Sequence, residues 1–273
     1  MSKDILQADF LNKMREIVNY MWEKGWDERN GGNVSYRLTE KEAKDYVDTE
    51  NIKEKFELEE AIPGLAGEFF LVTGSGKYFM NVSKKPANNL GIIQIDQDGS
   101  GYSLHWGYEN GGQPTSELAA HLLSHQARMQ VTDNQNRVVM HTHATNLIAL
   151  TYVLELDSKT FTRKLWEMST ECLVVFPEGV GILPWLVPGT EKIGEETAEL
   201  MKKHPIVIWP FHGVFGTGKS LDEAFGLIDT AEKAADILVK VNSMGGANKG
   251  ITDQEFKDLA ARFGVEPMAG VLE

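Results

Sequence analysis

His141 and His143 stand one residue apart at the end of the apolar run Val138-Val139-Met140. Side chains alternate along an extended chain, so both imidazoles share a face, with Cα atoms ~7 Å apart, and can converge on one ion. Zinc requires nitrogen donors at about 2.0–2.1 Å, and a catalytic zinc takes three protein ligands and keeps a further position open. A third ligand must then come from elsewhere in the chain. The spacing alone equally fits two polar residues at a strand end, hydrogen-bonded or solvated. His212 closes the run Ile206-Val207-Ile208-Trp209-Pro210-Phe211, and among the seven histidines it alone repeats the pattern of an apolar run ending in imidazole. That makes it the natural third donor. Glu117, His121 and His125, at i, i+4 and i+8, form a rival constellation. It ranks below the strand pair, because a histidine one turn from a glutamate is ordinary helix-surface chemistry.

Three donor-rich stretches accompany the histidines. Asn30-Gly31-Gly32-Asn33 reads as a tight turn able to point backbone N–H groups at an anion, or as a plain helix-to-strand connection. Thr73-Gly74-Ser75-Gly76-Lys77 is a second small loop of this kind, following the strand pattern Glu68-Phe69-Phe70-Leu71-Val72. Pro114-Thr115-Ser116-Glu117 opens a helix that reaches to about Met129, with Thr115 or Ser116 as N-cap and Glu117 in the first turn. There a carboxylate is favoured by the helix dipole, and the same place gathers two hydroxyls, free N–H groups and a base suited to a phosphorylated substrate. Glu171, ahead of the apolar Leu173-Val174-Val175-Phe176, stands at the mouth of a predicted strand, where it is either a second acid/base or a solvated surface group.

The rest of the chain must position these groups. Its 273 residues fit one α/β domain with a large buried core. The 27 basic and 40 acidic residues leave a net charge of −13, which opposes the phosphate attraction on which nucleic-acid binding depends. The lone cysteine, Cys172, cannot form an internal disulfide, and Met1-Ser2-Lys3-Asp4 leads into an amphipathic segment, which points to a reducing cytoplasm. The most apolar long stretch, 173–188, is broken by Pro177, Glu178 and Pro184, so no membrane role is indicated. Phe10, Met14, Ile17 and Met21 mark a first helix, and Val34, Tyr36 and Leu38 a strand. The Lys- and Glu-rich segment 39–63 reads as a charged surface insertion with a short helix. Strands over 91–96 and 102–106, separated by Asp98-Gly99-Ser100-Gly101, point to an antiparallel component in the sheet. Helices are expected over 146–156 and 190–203, in the long stretch carrying Ile228, Ala231, Ala235 and Val239, and over 253–263.

Gly213-Val214-Phe215-Gly216-Thr217-Gly218-Lys219-Ser220 matches the spacing of a nucleotide-binding phosphate loop, after a strand and before a helix. The fifty or so residues that follow leave no room for a strand bearing a magnesium-binding Asp, which argues against an NTPase.

Five motifs in order, Asn30-Gly31-Gly32-Asn33, Thr73-Gly74-Ser75-Gly76-Lys77, Pro114-Thr115-Ser116-Glu117, His141-Thr142-His143 and Phe211-His212-Gly213, resemble the class II sugar-phosphate aldolases. That family shares its fold with the ribulose-phosphate 4-epimerases and the adducin head domain. The resemblance covers nearly the whole chain. Trp26-Asp27-Glu28-Arg29, the 39–63 segment and Trp166-Glu167-Met168-Ser169-Thr170-Glu171 resemble in particular the branch acting on L-rhamnulose 1-phosphate.

The resemblance implies an α/β fold: a three-layer α/β/α single domain over 1–273 with a largely antiparallel central sheet. It also implies a lyase that holds one zinc ion per subunit through His141, His143 and His212. Glu117 would shuttle the proton at the enediolate carbon, and Glu171, supplied across a subunit interface, would handle the aldehyde oxygen. Asn30, Gly31, Asn33, Ser75, Gly76, Thr115 and Ser116 would hold phosphate and enediolate, by N–H, hydroxyl and dipole donors because a cationic cluster is absent. The implied reaction, in L-rhamnose degradation, is reversible cleavage of the ketose 1-phosphate to dihydroxyacetone phosphate and L-lactaldehyde, in a cytoplasmic homotetramer with sites at subunit interfaces. The alternatives are cleavage of L-fuculose 1-phosphate or ribulose-phosphate 4-epimerisation, the epimerases carrying Asp where this chain has Glu117. More remote are a non-catalytic binding module of the adducin-head type and the NTPase.

Overall fold

Side chains that alternate between the two faces of the sheet set the layering. The computed structural model describes residues 3–273. In chain order the elements are α1 (Asp9–Glu23), β1 (Asn33–Arg37), α2 (Glu40–Tyr46), β2 (Glu54–Glu57), β3 (Phe69–Thr73), α3 (Phe79–Val82), α4 (Pro86–Asn89), β4 (Leu90–Ile95), β5 (Gly101–Gly107) and α5 (Leu118–Val131). There follow β6 (Val138–Thr142), α6 (Thr145–Leu150), α7 (Ser158–Trp166), α8 (Thr170–Val175), β7 (Val180–Ile182), α9 (Glu191–Met201), β8 (Ile206–Trp209), β9 (Gly213–Gly218), α10 (Leu221–Ser243) and α11 (Asp253–Phe263). Among the described residues nine strands make one sheet, in the order β2-β5-β4-β3-β1-β6-β9-β8-β7. Every neighbouring pair is antiparallel except β7 and β8.

Val138 and Met140 of β6, with Ile206 and Ile208 of β8, enter the core shared with α1, α7 and α10, whereas Val139 and Val207 face the opposite way, with residues of α5 and α9. Leu71 and Ile92 repeat the first orientation, and Phe70, Val72 and Ile93 join a third cluster with Leu118 and Leu122 of α5. Helices therefore cover both faces of a largely antiparallel sheet, the three-layer α/β/α arrangement that the resemblance implies. Full burial of each large apolar side chain contributes about 1.5–3 kcal/mol, so these strands tolerate little change.

Several local expectations need correction. The segment 39–63 does form a short helix, α2, closed by a reciprocal Thr39–Glu42 capping box, but it also supplies β2, which hydrogen-bonds to β5. This strand is at the sheet edge and mostly exposed, so it carries Glu and Lys where an interior strand carries apolar residues. The apolar run 173–176 reads as a strand, but 170–175 are helical, with Cys172 and Leu173 buried and Val175 exposed. A short apolar run cannot be assigned by periodicity alone. Neither Thr115 nor Ser116 caps α5; the cap position is Glu117 itself, whose side chain makes no capping bond. The phosphate-loop match is β9, a fully buried strand paired on both sides. Its glycines admit α10: a Cβ on Gly216 would lie 2.6 Å from Ile228 Cγ1, and one on Gly218 would lie 2.5 Å from the Ala224 nitrogen. A backbone committed to a sheet cannot wrap a phosphate, which removes the NTPase reading.

Candidate functional site

At the end of β6, His141 is buried, with its ring against Phe215 and Trp209. Thr142 points the other way and donates to the Trp26 carbonyl at 2.8 Å. The backbone N–H of His143 donates to that same carbonyl at 2.8 Å, so the pair is pinned to the turn after α1. His212, expected at the end of a strand, arrives on the turn between β8 and β9, three residues past the last residue of β8, and Phe211 before it sits at φ 63°. That left-handed backbone is held by a bond from the Phe211 N–H to Thr151 Oγ1 and by the packing of its ring on Tyr152. Strain of about 1–3 kcal/mol at such positions persists only where the surroundings fix it.

The three rings pack with centroids 5.0–5.2 Å apart. One ligand atom from each lies within 4.8 Å of the other two. His141 Nδ1 donates to the Val214 carbonyl at 3.1 Å, which leaves Nε2 as the lone-pair nitrogen; that atom is buried and has no hydrogen-bond partner. His143 Nδ1 is 2.8 and 2.9 Å from the two Glu28 carboxylate oxygens, which turns its other nitrogen inward. Nδ1 of His212 is also buried without a partner. Burial, reinforced by the neighbouring imidazoles, pushes His141 well below the ordinary histidine range and His212 down to about 4. Neutral imidazoles with unpaired buried nitrogens carry a desolvation cost that a cation would relieve, and deprotonated ligands are what a metal needs. The residues present therefore fit a metal ion.

Glu117 adjoins this group, with Oε2 3.6 Å from His141 Nε2 and Oε1 3.9 Å from His212 Nε2. Asn33 Nδ2 donates to Oε2 at 2.8 Å. Burial raises the Glu117 carboxyl above its usual range, and the Asn33 bond and the nearby His143 oppose that.

The loop after β3 and the segment before α5 are joined by bonds from Ser75 N to the Gln113 carbonyl and from Thr115 N to the Thr73 carbonyl. The N–H groups of Gly76 and Ser116 are left without a backbone acceptor among the described residues. Ser75, Gly76, Thr115 and Ser116 line one cavity of about 190 Å³ with Asn30, Gly31, Gly32, Asn33, Gly74, Glu117 and the three histidines, and no lysine or arginine contributes. Of the residues that the resemblance assigns to the site, only Glu171 lies elsewhere: it is exposed in the first turn of α8 and does not line the cavity of its own chain. His121 and His125 do not join the triad and are buried behind Glu117 rather than placed on a helix surface.

Glu28 was legible only as part of the Trp26–Arg29 resemblance; no spacing rule connects it to a histidine 115 residues away. Removal of its carboxylate by Glu28→Ala frees the His143 ring, and metal affinity is expected to fall about 10–100-fold in a competitive chelator titration. Gly31 and Gly213 admit the rings. A Cβ on Gly31 would lie 2.7 Å from His143 Cε1, and one on Gly213 would lie 2.6 Å from the Thr142 carbonyl oxygen and 2.8 Å from His141 Cε1. Gly213→Ala is expected to lower folding stability by about 1–3 kcal/mol in denaturant unfolding and to reduce metal retention with it.

Fold and site together define an aldolase-type domain, and residues 12–239 match the family described as Class II Aldolase and Adducin N-terminal domain, to which the chain belongs. It is similar at 58% identity over 272 residues to rhamnulose-1-phosphate aldolase of Mannheimia succiniciproducens, covering 99% of this chain and 100% of that one. The similarity to rhamnulose-1-phosphate aldolase of Pectobacterium atrosepticum is 57% over 269 residues, 98% of each chain. Among solved structures, a sugar-phosphate aldolase from Thermotoga maritima matches with a TM-score of 0.76 at 26% identity, covering 88% of this chain and 97% of that chain.

Proposed function

We propose that this chain is a zinc-dependent lyase that cleaves L-rhamnulose 1-phosphate reversibly to dihydroxyacetone phosphate and L-lactaldehyde, within L-rhamnose degradation. The observation that carries the reading is the convergence of three imidazoles beside a buried carboxylate, at the end of a cavity walled by amide, hydroxyl and backbone donors. Full-length similarity to rhamnulose-1-phosphate aldolases supports the choice of substrate.

His141, His143 and His212 would hold the ion, which when bound supplies the electrophile that an enediolate requires. Asn30, Gly31, Ser75, Gly76, Thr115 and Ser116 line the cavity ahead of α5, where hydroxyls, free N–H groups and the positive helix end suit a phosphate dianion without a cation. Glu117 would exchange the proton at the enediolate carbon: burial holds its carboxyl above the usual range, which makes its carboxylate a better proton acceptor than a solvated one. Asn33 would orient it. The partner subunit's Glu171 would serve the C4 oxygen, consistent with the distance of this residue from the cavity of its own chain, and the assembly would be a homotetramer with sites at its interfaces. Residence in the cytoplasm fits the single buried thiol of Cys172, which burial pushes up to about 12 and leaves unreactive.

The decisive assay uses purified, metal-analysed protein with L-rhamnulose 1-phosphate, L-fuculose 1-phosphate and ribulose 5-phosphate side by side. Preferential release of dihydroxyacetone phosphate from the first is expected. Preference for the second or epimerisation of the third would replace the reading, and a metal-free inert protein would favour a binding module.

A further inference from the structure

Behind Glu117 lies an unbroken chain of buried polar side chains of which the aldolase reading uses only the first, Asn33. Asn33 donates to Glu117 Oε2 and presents its Oδ1 to His121 Nε2. His121 Nδ1 is 2.6 Å from Ser35 Oγ, which in turn is 2.8 Å from His125 Nε2. Asn33 and Ser35 share a face of β1, and His121 and His125 share a face of α5, so the chain bridges sheet and helix. Ser35 and His121 are fully buried and His125 almost so, with Phe70 against the His125 ring and Phe215 against His121. Apolar residues would fill this space without the desolvation cost of four polar groups.

The order of protons along the chain follows from its end. A carboxylate only accepts, so the Asn33 NH2 must face Glu117 and its carbonyl oxygen must face His121. His121 then carries its proton on Nε2 and accepts at Nδ1 from the Ser35 hydroxyl, which accepts from Nε2–H of His125. Burial keeps both imidazoles neutral, His121 down to about 3, so each has one N–H to place. With the proton of His121 on Nδ1 instead, its bare Nε2 would face the Asn33 oxygen. The amide would turn over and direct an oxygen at the Glu117 carboxylate.

We propose that His121, with its tautomer fixed by Ser35 and His125, is a positioning residue that holds the Asn33 amide in the one orientation that anchors Glu117 through Oε2. Oε1, the oxygen on the His212 side, is thereby left as the one free to exchange a proton with substrate. This proposal rests on the reading of Glu117 as the proton-transfer group.

Two measurements on the metal-loaded enzyme test it. Long-range 1H–15N spectra of histidine-labelled protein are expected to show His121 neutral with its proton on Nε2; a proton on Nδ1 overturns the proposal, and this readout needs neither activity nor a variant. In kinetics, His121→Phe is expected to lower kcat about 10–100-fold, the loss typical of a misplaced catalytic group, with metal content and KM kept. His121→Gln, which restores a donor toward Asn33, is expected to recover part of the loss. In a Glu117→Gln background, His121→Phe is expected to change the residual rate by less than about twofold, because coupled residues are not additive. An equal further loss in that background overturns the proposal. If the wild-type protein cleaves no ketose phosphate, the aldolase reading fails, while the spectrum still decides the proton order.

Discussion

His212→Ala is expected to leave a folded protein that no longer retains metal and no longer cleaves substrate. The side chain sits on a turn between two strands, so its removal spares the sheet; what it takes away is one of three imidazoles whose ligand atoms lie within 4.8 Å of one another. Loss of the ion's electrophilic role removes roughly 4 kcal/mol of transition-state stabilisation, or about 10³-fold in rate. Metal per subunit, measured by elemental analysis after gel filtration in chelator, and cleavage rate should fall together. His121→Ala is the control: its ring is turned toward Ser35 and Asn33, so the metal should stay bound even as the rate falls. Retained metal in His212→Ala together with lost metal in His121→Ala would reverse the ligand assignment.

Glu117→Gln is expected to separate binding from chemistry. The amide is nearly isosteric and can still accept from Asn33, so metal content and KM should change little. Proton transfer by a positioned side chain contributes about 10²–10⁴-fold, and kcat should fall by that factor. Exchange of the enediolate-carbon proton of dihydroxyacetone phosphate with solvent, followed by NMR, should be lost in parallel, because it requires the same proton transfer without bond cleavage. Thermal stability should not fall: replacing a carboxyl whose charge is penalised by burial with a neutral amide removes a cost rather than a support. Unchanged solvent exchange in this variant would assign the proton transfer to another group.

Both residues, His212 and Glu117, are legible in the sequence, but what surrounds them is only partly so. His141 and His143 could be paired from the residues alone because strand periodicity puts i and i+2 on one face whatever the remainder of the fold does. The turn-forming Asn-Gly-Gly-Asn, the loop after β3 and the start of α5 were legible for the same reason: glycine, proline and hydroxyl residues dictate local backbone and local donors. The sheet interior was equally legible, since a strand buried on both faces has to be apolar. Local rules failed where tertiary context chose between equal local options. The run 173–176 is too short to declare a period, the edge strand β2 is too exposed to look like one, and the glycines of β9 mimic a phosphate loop although their spacing serves the close approach of α10.

By itself, then, the sequence determined the chemical inventory: three histidines at strand or turn ends, donor loops without a cationic cluster, a glutamate at a helix start, and a net charge of −13. The tertiary structure decided what each member of that inventory faces. Only the packing of β6 against β9 points the Val214 carbonyl at His141, and only the turn after α1 brings Glu28 to His143. His121 and His125, the rival constellation ranked below His141 and His143, face β1 and meet Ser35 and Asn33 instead. Imidazole chemistry is the same in both places. Its role depends on which lone pairs are left unpaired after burial, and that is settled by contacts between residues distant in the chain.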